Sequence, residues 1–329
     1  MENGIDSESF IYHYCSVESM MSILRNKCIW LNDSSKTNDS TEIIWVLKNL
    51  IEVLTENLEK ERLYIQSSLF EKIKAVIDAI EEEQKTSPST FLTKILLDNQ
   101  KNFLACFSVN GDLLSQWRAY ANDGTGVSIG FDSNYFRYFN RKTNYSFKQV
   151  NYLDRTKAKM HELFDDLFKQ FIQDCVVLNS IEDGFLDLKT KIYWLINSVR
   201  KEGHAFKNQH FSEEKEWRIN RVVERYDDCD GTDEYAYNEF LEGAFSENSQ
   251  YLGDFTCSQL KFRAINDDIK CYFELGFGKL KSKIIRRIIL GPKCKIKPFD
   301  LKIFLADNKY IEDIYDKSIT IMPSYIPYI

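Results

Sequence analysis

"NFLACFSVNGDLLSQWRAYANDGTGVSIGFD", residues 102–132, is the stretch on which the fold turns. Its opening "NFLACFSV" is an almost unbroken apolar run and reads as a buried strand. "DLLSQWRAYA" follows with Leu113, Trp117 and Tyr120 on one helical stripe and Ser115 and Arg118 on the next, which predicts a short helix with Asp112 as its N-cap. "GVSIGF" reads as a second strand, entered through a turn that Gly124 and Gly126 punctuate. These glycines lead into a strand. A dinucleotide fingerprint has its glycines after a strand and at the start of a helix, so this is not a phosphate loop. The apolar stripe is expected to face a sheet, leaving Ser115, Arg118 and Tyr120 as wall residues where an anionic ligand could be held.

Upstream, "IYHYCS" alternates Ile11, His13 and Cys15 against Tyr12 and Tyr14, a short strand buried on at least one side. Ser16 then caps a helix carrying Val17, Met20, Met21 and Leu24 at i, i+3, i+4 and i+7, and "CIWL" is the next strand. From Ile43 an amphipathic, highly charged stripe runs to about Glu83, where "QKTSPST" around Pro88 stops it. Helical patterns return between 155 and 202. Strands reappear at "EKEWRINRVV", "IKCYFELGF" and "IIRRIILG". Strands are not regularly separated by single crossover helices, which predicts an α+β fold. One domain over 1–329 is expected, its central mixed or antiparallel sheet built from both ends of the chain and its helical insertions at about 43–100 and 155–202.

Composition narrows the function classes. The chain has 329 residues, 43% of them hydrophobic, with few prolines and glycines, enough for a substantial core. A formal charge of -7 argues against broad nonspecific nucleic-acid binding. No apolar run approaches the roughly 20 residues of a membrane span, and "MENGIDSESF" lacks the marks of a signal peptide, so a cytoplasmic protein with no membrane partner is expected. The eight cysteines form no C-x-x-C pair and sit mostly in apolar runs, the pattern of reduced, buried thiols. Walker A and G-x-S-x-G motifs are missing, and the four histidines lack metal-ligand spacing, so no metal is expected.

Three constellations remain. In "EEKEWRI", a strand reading puts Glu214, Glu216 and Arg218 on one face, opposite Trp217 and Ile219. That polar row is either a ligand site or a Glu–Arg ladder on an exposed face. His13 is the one histidine inside an apolar strand, a core hydrogen-bonder or a ligand contact. In "NDSSKTNDSTE", Asn38, Asp39 and Glu42 form a capping-box-like pattern, with Asp39 as N-cap; the alternative is a carboxylate cluster for a divalent ion.

The landmarks "YHYCS", "LND…NDSTE", "ACFS…SQWRAYA…GVSIGF", "FSEEKEWRI", "IILGP" and "PSYIPY" resemble, in order and over nearly the whole chain, a large bacterial family of domains of unknown function, family 2971. The resemblance brings no settled biochemical role; members of the family often look like accessory or phage-defence genes. A looser resemblance is to ADP-ribosyltransferases, which use an early-strand histidine or arginine, a middle aromatic or serine segment and a glutamate within E-x-E. It implies NAD as substrate, His13 on the nicotinamide ribose, Ser115 or Tyr120 in the middle and Glu216 as catalytic carboxylate, with Arg118 at a phosphate. The chain departs from that pattern where Tyr14 and Cys15 follow the histidine and where the middle segment is helical. The expected function is an NAD-consuming effector in a defence or toxin system, modifying a protein or nucleic acid. The alternatives are a magnesium nuclease or phosphodiesterase using Asp39, Glu42, Glu214 and Glu216, and a noncatalytic sensor binding a partner, or a second copy, through the 43–100 helices.

Overall fold

A computed structural model describes residues 10–34, 40–86, 100–140, 145–153, 168–173, 188, 191–192, 206–224, 254–265, 267–280 and 283–328. Within them the chain is α+β. Strand β1 (Phe10–Cys15) runs into α1 (Val17–Asn26), whose start is closed by Ser16, its hydroxyl accepting from the Ser19 N–H at 3.1 Å. Lys27 ends this helix in the left-handed region, φ 52°, and β2 (Cys28–Asp33) follows. Helices α2 (Ser40–Lys60) and α3 (Ser67–Thr86) come next, then β3 (Gln100–Ser108), the short helix α4 (Leu114–Tyr120) and β4 (Val127–Asp132). Beyond them lie β5 (Tyr145–Gln149), β6 (Asn151–Leu153), β7 (Phe206–Asn208), β8 (Glu216–Glu224) and β9 (Thr256–Cys257). The chain closes with β10 (Lys261–Ile265), β11 (Asp268–Gly276), β12 (Ile285–Leu290), α5 (Pro298–Asp307) and β13 (Thr320–Pro323).

Eleven of these strands form one sheet, in the order β10-β11-β2-β3-β1-β4-β12-β13, with β8 along the far edge of β3 and β5 outside β8. Every pairing in it is antiparallel except β12 with β13, so both ends of the chain do build a mixed sheet. β6 and β7 make a separate parallel pair. One face carries the main core: Ile11, Phe103, Phe107, Ile129, Phe131, Ile219 and Phe273 are each buried there. Each such side chain contributes on the order of 1.5–3 kcal/mol by leaving water.

The stripe expected to run unbroken to Glu83 is two helices. The chain leaves helix at Glu61–Gln66 and folds back, so that Ile51, Leu54 and Leu58 share an apolar cluster with Phe70, Ile73, Ile77 and Ile80. Burial of both stripes against each other outweighs continuation of one helix, and the turn holds no glycine or proline to announce it. Leu63 and Tyr64 stand 91% and 84% exposed at that turn. α3 ends at Thr86, two residues before Pro88. The described helical fragments 168–173 and 191–192 fall inside the 155–202 insertion; most of that insertion, and the Asn38–Asp39 cap, lie outside the described residues. Among the described residues no helix is long and apolar enough to cross a membrane.

The segment 102–132 folds as read, with one correction. Leu113, not Asp112, occupies the N-cap position of α4, without a side-chain cap. The Asp112 carboxylate is taken by stronger donors: Trp117 Nε1 at 2.6 Å, the Ser324 hydroxyl at 2.6 Å and the Tyr325 N–H at 2.8 Å. It thereby ties α4 to the chain's C-terminal strap. A second tie runs from the Tyr328 hydroxyl to Asp123 at 2.6 Å. Gly126 admits no side chain, since a Cβ there would sit 2.2 Å from the Cys15 carbonyl oxygen. Asp112→Ala should cost about 2–3 kcal/mol, measured by denaturant unfolding, because charged-group hydrogen bonds are lost together. A change under about 0.5 kcal/mol would remove the strap's structural role.

Candidate functional site

The site arises from a split in the sheet. β8 follows β3 along all nine of its residues, from Gln100↔Glu224 to Ser108↔Glu216. The other edge of β3 is shared: β2 takes Phe103 and Leu104, and β1 takes only Ser108, opposite Tyr12. Between those pairings the imidazole of His13 reaches across from β1 and bonds the Cys106 carbonyl through Nδ1 at 3.0 Å. Burial lowers the His13 pKa, opposed by that hydrogen bond, so the ring is neutral near pH 7. A carbonyl only accepts; Nδ1 therefore carries the proton and Nε2 is left as an acceptor.

Over this split opens a small cleft lined by Tyr12, His13, Tyr14, Cys106, Phe107, Gln116, Tyr120, Glu214 and Glu216. Tyr12 and Tyr14 were expected on the face away from His13. All three reach the cleft because the imidazole turns into the gap between strands. Tyr14 also fixes the cleft's upper loop: its hydroxyl donates to the Asn110 carbonyl at 2.8 Å and accepts from the Leu113 N–H at 3.0 Å, while its ring meets Trp117 edge-on at 4.8 Å.

The cleft's charged wall is buried. Glu216 is 5% exposed, and its carboxylate is gripped at both oxygens: Arg218 Nε to Oε1 at 2.7 Å, Arg218 Nη2 to Oε2 at 2.9 Å, and Lys207 Nζ to Oε2 at 3.1 Å. Lys207 also reaches Glu214 at 2.7 Å and lies 5.0 Å from the centre of the Phe211 ring. Two cations and two carboxylates thus balance inside the protein, which is the condition for burying them. Burial by itself would raise the Glu216 pKa; the charge and hydrogen bonds of Arg218, then the charge of Lys207, outweigh it and hold it down to about 2. The Cys106 thiol shares a hydrogen bond with Glu216, and desolvation followed by that carboxylate's charge keeps it well above an ordinary thiol pKa. Cys106 is exposed, unlike Cys15, Cys28 and Cys271, which are buried as expected; the described cysteines are all free thiols.

His13, Tyr120, Glu214 and Glu216 line the same cleft. Glu214 does so from a different element: it ends a 3-10 turn (Gln209–Glu214), and Lys215 in the left-handed region, φ 43°, separates it from β8. Of the two readings of that row, the exposed ladder does not hold: Glu214, Glu216 and Arg218 form a buried network, with Lys207 carried over the row by the β6–β7 pair. Arg218 stands in the network rather than among the lining residues. Ser115 and Arg118 are not among them either: Gln116 and Tyr120, four apart, present the helix face that lines the cleft, and Arg118 is exposed outside it. Glu42 lies in the first turn of α2. Among the described residues no group of three or more His, Cys, Asp or Glu side chains could hold a metal, and the Lys207 ammonium bridges Glu214 and Glu216 where a shared cation would have to sit. Lys207 and Gln116 were not foreseen. The i, i+4 relation to Tyr120 could have found Gln116; a lone lysine in a three-residue strand carries no such signal.

Residues 116–219, about a third of the chain, match the family described as protein of unknown function (DUF2971), which supports the resemblance read from the sequence motifs. The match begins at Gln116 and ends just beyond Arg218, so it spans both the helical and the charged wall of the cleft. Neither the curated proteins nor the solved structures gave a match.

Proposed function

Starting from a chain whose matched family has no assigned role, we propose that the cleft binds NAD and cleaves its nicotinamide–ribose bond, passing ADP-ribose to a protein or nucleic acid. The observation that supports this most is the meeting of His13 from β1, Tyr120 from α4 and Glu216 from β8 on one cleft. In the reaction the C1′–N bond breaks, its electron pair leaves with neutral nicotinamide, and an oxocarbenium-like C1′ is captured by an acceptor nucleophile that gives up its proton. Glu216, ionised and rigidly held, stabilises the positive charge developing at C1′. His13 accepts a ribose hydroxyl at Nε2, and the Tyr120 ring lies against nicotinamide. An effector of this kind in a defence or toxin system meets its target at the cleft mouth, while Leu63 and Tyr64 at the α2–α3 turn offer a surface for a partner or second copy.

Nicotinamide release from NAD, measured with and without cell extract or infected lysate, tests the reading. Tyr120 is 37% exposed, so Tyr120→Ala should unfold at the wild-type temperature while releasing nicotinamide on the order of tenfold more slowly. Undetectable release by wild type under every condition, or equal release by both proteins, would overturn the assignment.

A further inference from the structure

One cross-strand row runs out of the cleft: Glu216 opposite Ser108, Ser108 opposite Tyr12, Tyr12 opposite Gly130, Gly130 opposite Arg287. Residues directly opposite one another share a sheet face, so all five lie on the cleft side of the sheet, spanning four strand spacings or roughly 19 Å; of them Tyr12 and Glu216 line the cleft, and Arg287 adjoins it through Tyr12. Arg287 owes its place to an irregularity. The register of β12 against β4 shifts between Ile285 and Arg287, and the extra residue, Arg286, is absorbed there. Ile285 therefore packs in the core while Arg287, two residues on, emerges on the opposite face.

At that position the guanidinium is held and yet uncommitted. It stacks over the Phe10 ring at 4.3 Å and donates from Nη1 to the Tyr12 hydroxyl at 3.1 Å. Among the described residues no carboxylate pairs with it, in contrast to Arg218 a few strands away. The remaining N–H groups of a half-buried arginine are then available for an anion, and the planar fork suits a phosphate. Gly130 lets the Tyr12 ring pack down on the strand beside Arg287. A Cβ there would approach the Tyr12 ring to 2.9 Å and Arg287 Cβ to 3.0 Å.

We infer that Arg287 is the phosphate anchor of the cleft, gripping the diphosphate of a dinucleotide whose ribose lies against Glu216. The inference rests on the NAD reading for its ligand and on the row Glu216–Arg287 for its geometry.

Calorimetric titration of wild type, Arg287→Gln and Arg287→Lys with ADP-ribose, nicotinamide and inorganic pyrophosphate tests it. Arg287→Gln should weaken ADP-ribose and pyrophosphate roughly 10- to 100-fold and leave nicotinamide unchanged, with Arg287→Lys between the two. Equal weakening of all three ligands would make Arg287 merely structural, and no weakening of any would remove it from the site. Pyrophosphate bound by wild type and lost in Arg287→Gln, without binding of ADP-ribose or nicotinamide, would retain the anion site and discard NAD. Wild type binding none of the three would overturn both.

Discussion

Glu216→Gln is expected to lower nicotinamide release by roughly 10²–10³-fold, the cost of removing one preorganised electrostatic stabiliser of a transition state. Glutamine keeps the shape of the side chain and discards its charge. Arg218 then loses its bidentate carboxylate partner and Lys207 keeps its contact with Glu214 but loses the charge of Glu216. Because an uncompensated buried cation is costly, the same change should remove about 3–5 kcal/mol of stability. Circular dichroism and denaturant unfolding separate the two losses. Should the glutamine variant fail to fold, Glu216→Asp retains the charge one methylene short, and its release at a temperature where it is fully folded decides the matter. Wild-type release by either folded variant would strip Glu216 of a catalytic role.

Lys207→Met should have the largest effect on stability alone. The ammonium group is almost fully buried and bridges two carboxylates at 2.7 and 3.1 Å. Methionine fills the space of the stem but leaves Glu214 without its ammonium partner, again at about 3–5 kcal/mol. A pH dependence follows with a definite sign. In the folded protein Glu216 titrates at about 2, below the 4.5 of an unperturbed group, so its ionisation contributes stability that is present above about pH 4.5 and lost as pH falls toward 2. Removing Lys207 takes away part of that depression. The acid-unfolding midpoint of Lys207→Met should therefore lie at higher pH than that of wild type, and coincident acid transitions would contradict the network as described.

The local elements were legible because each is written in neighbouring residues. Ser16 caps the helix that follows it, Val127–Asp132 is an apolar strand between turn signals, and the order of strands and helices already excluded a regular crossover fold. Where a local rule met a competitor, the rule gave way. Asp112 is a good cap by type, yet donors more than two hundred residues away at Ser324 and Tyr325 claim its carboxylate. The α2–α3 break also escapes the letters, since helix propensity through Glu61–Gln66 is ordinary and only mutual burial of two stripes demands a turn.

For the site, the sequence by itself named His13, Tyr120, Glu214 and Glu216, because a histidine in an apolar strand, an aromatic on a short helix and carboxylates in alternating order are each locally unusual. Tertiary structure alone decided what they do to one another. The one-position pairing of β1 with β3 turned His13 into the gap, Lys207 arrived from a three-residue strand to convert a solvent ladder into a buried network, and a one-residue shift on β12 aimed Arg287 along the row from Glu216. Patterns of hydrophobicity report which face of an element is buried. Which strand lies beside which, and at what register, is fixed by contacts between residues far apart in sequence, and the chemistry of this cleft depends on those contacts.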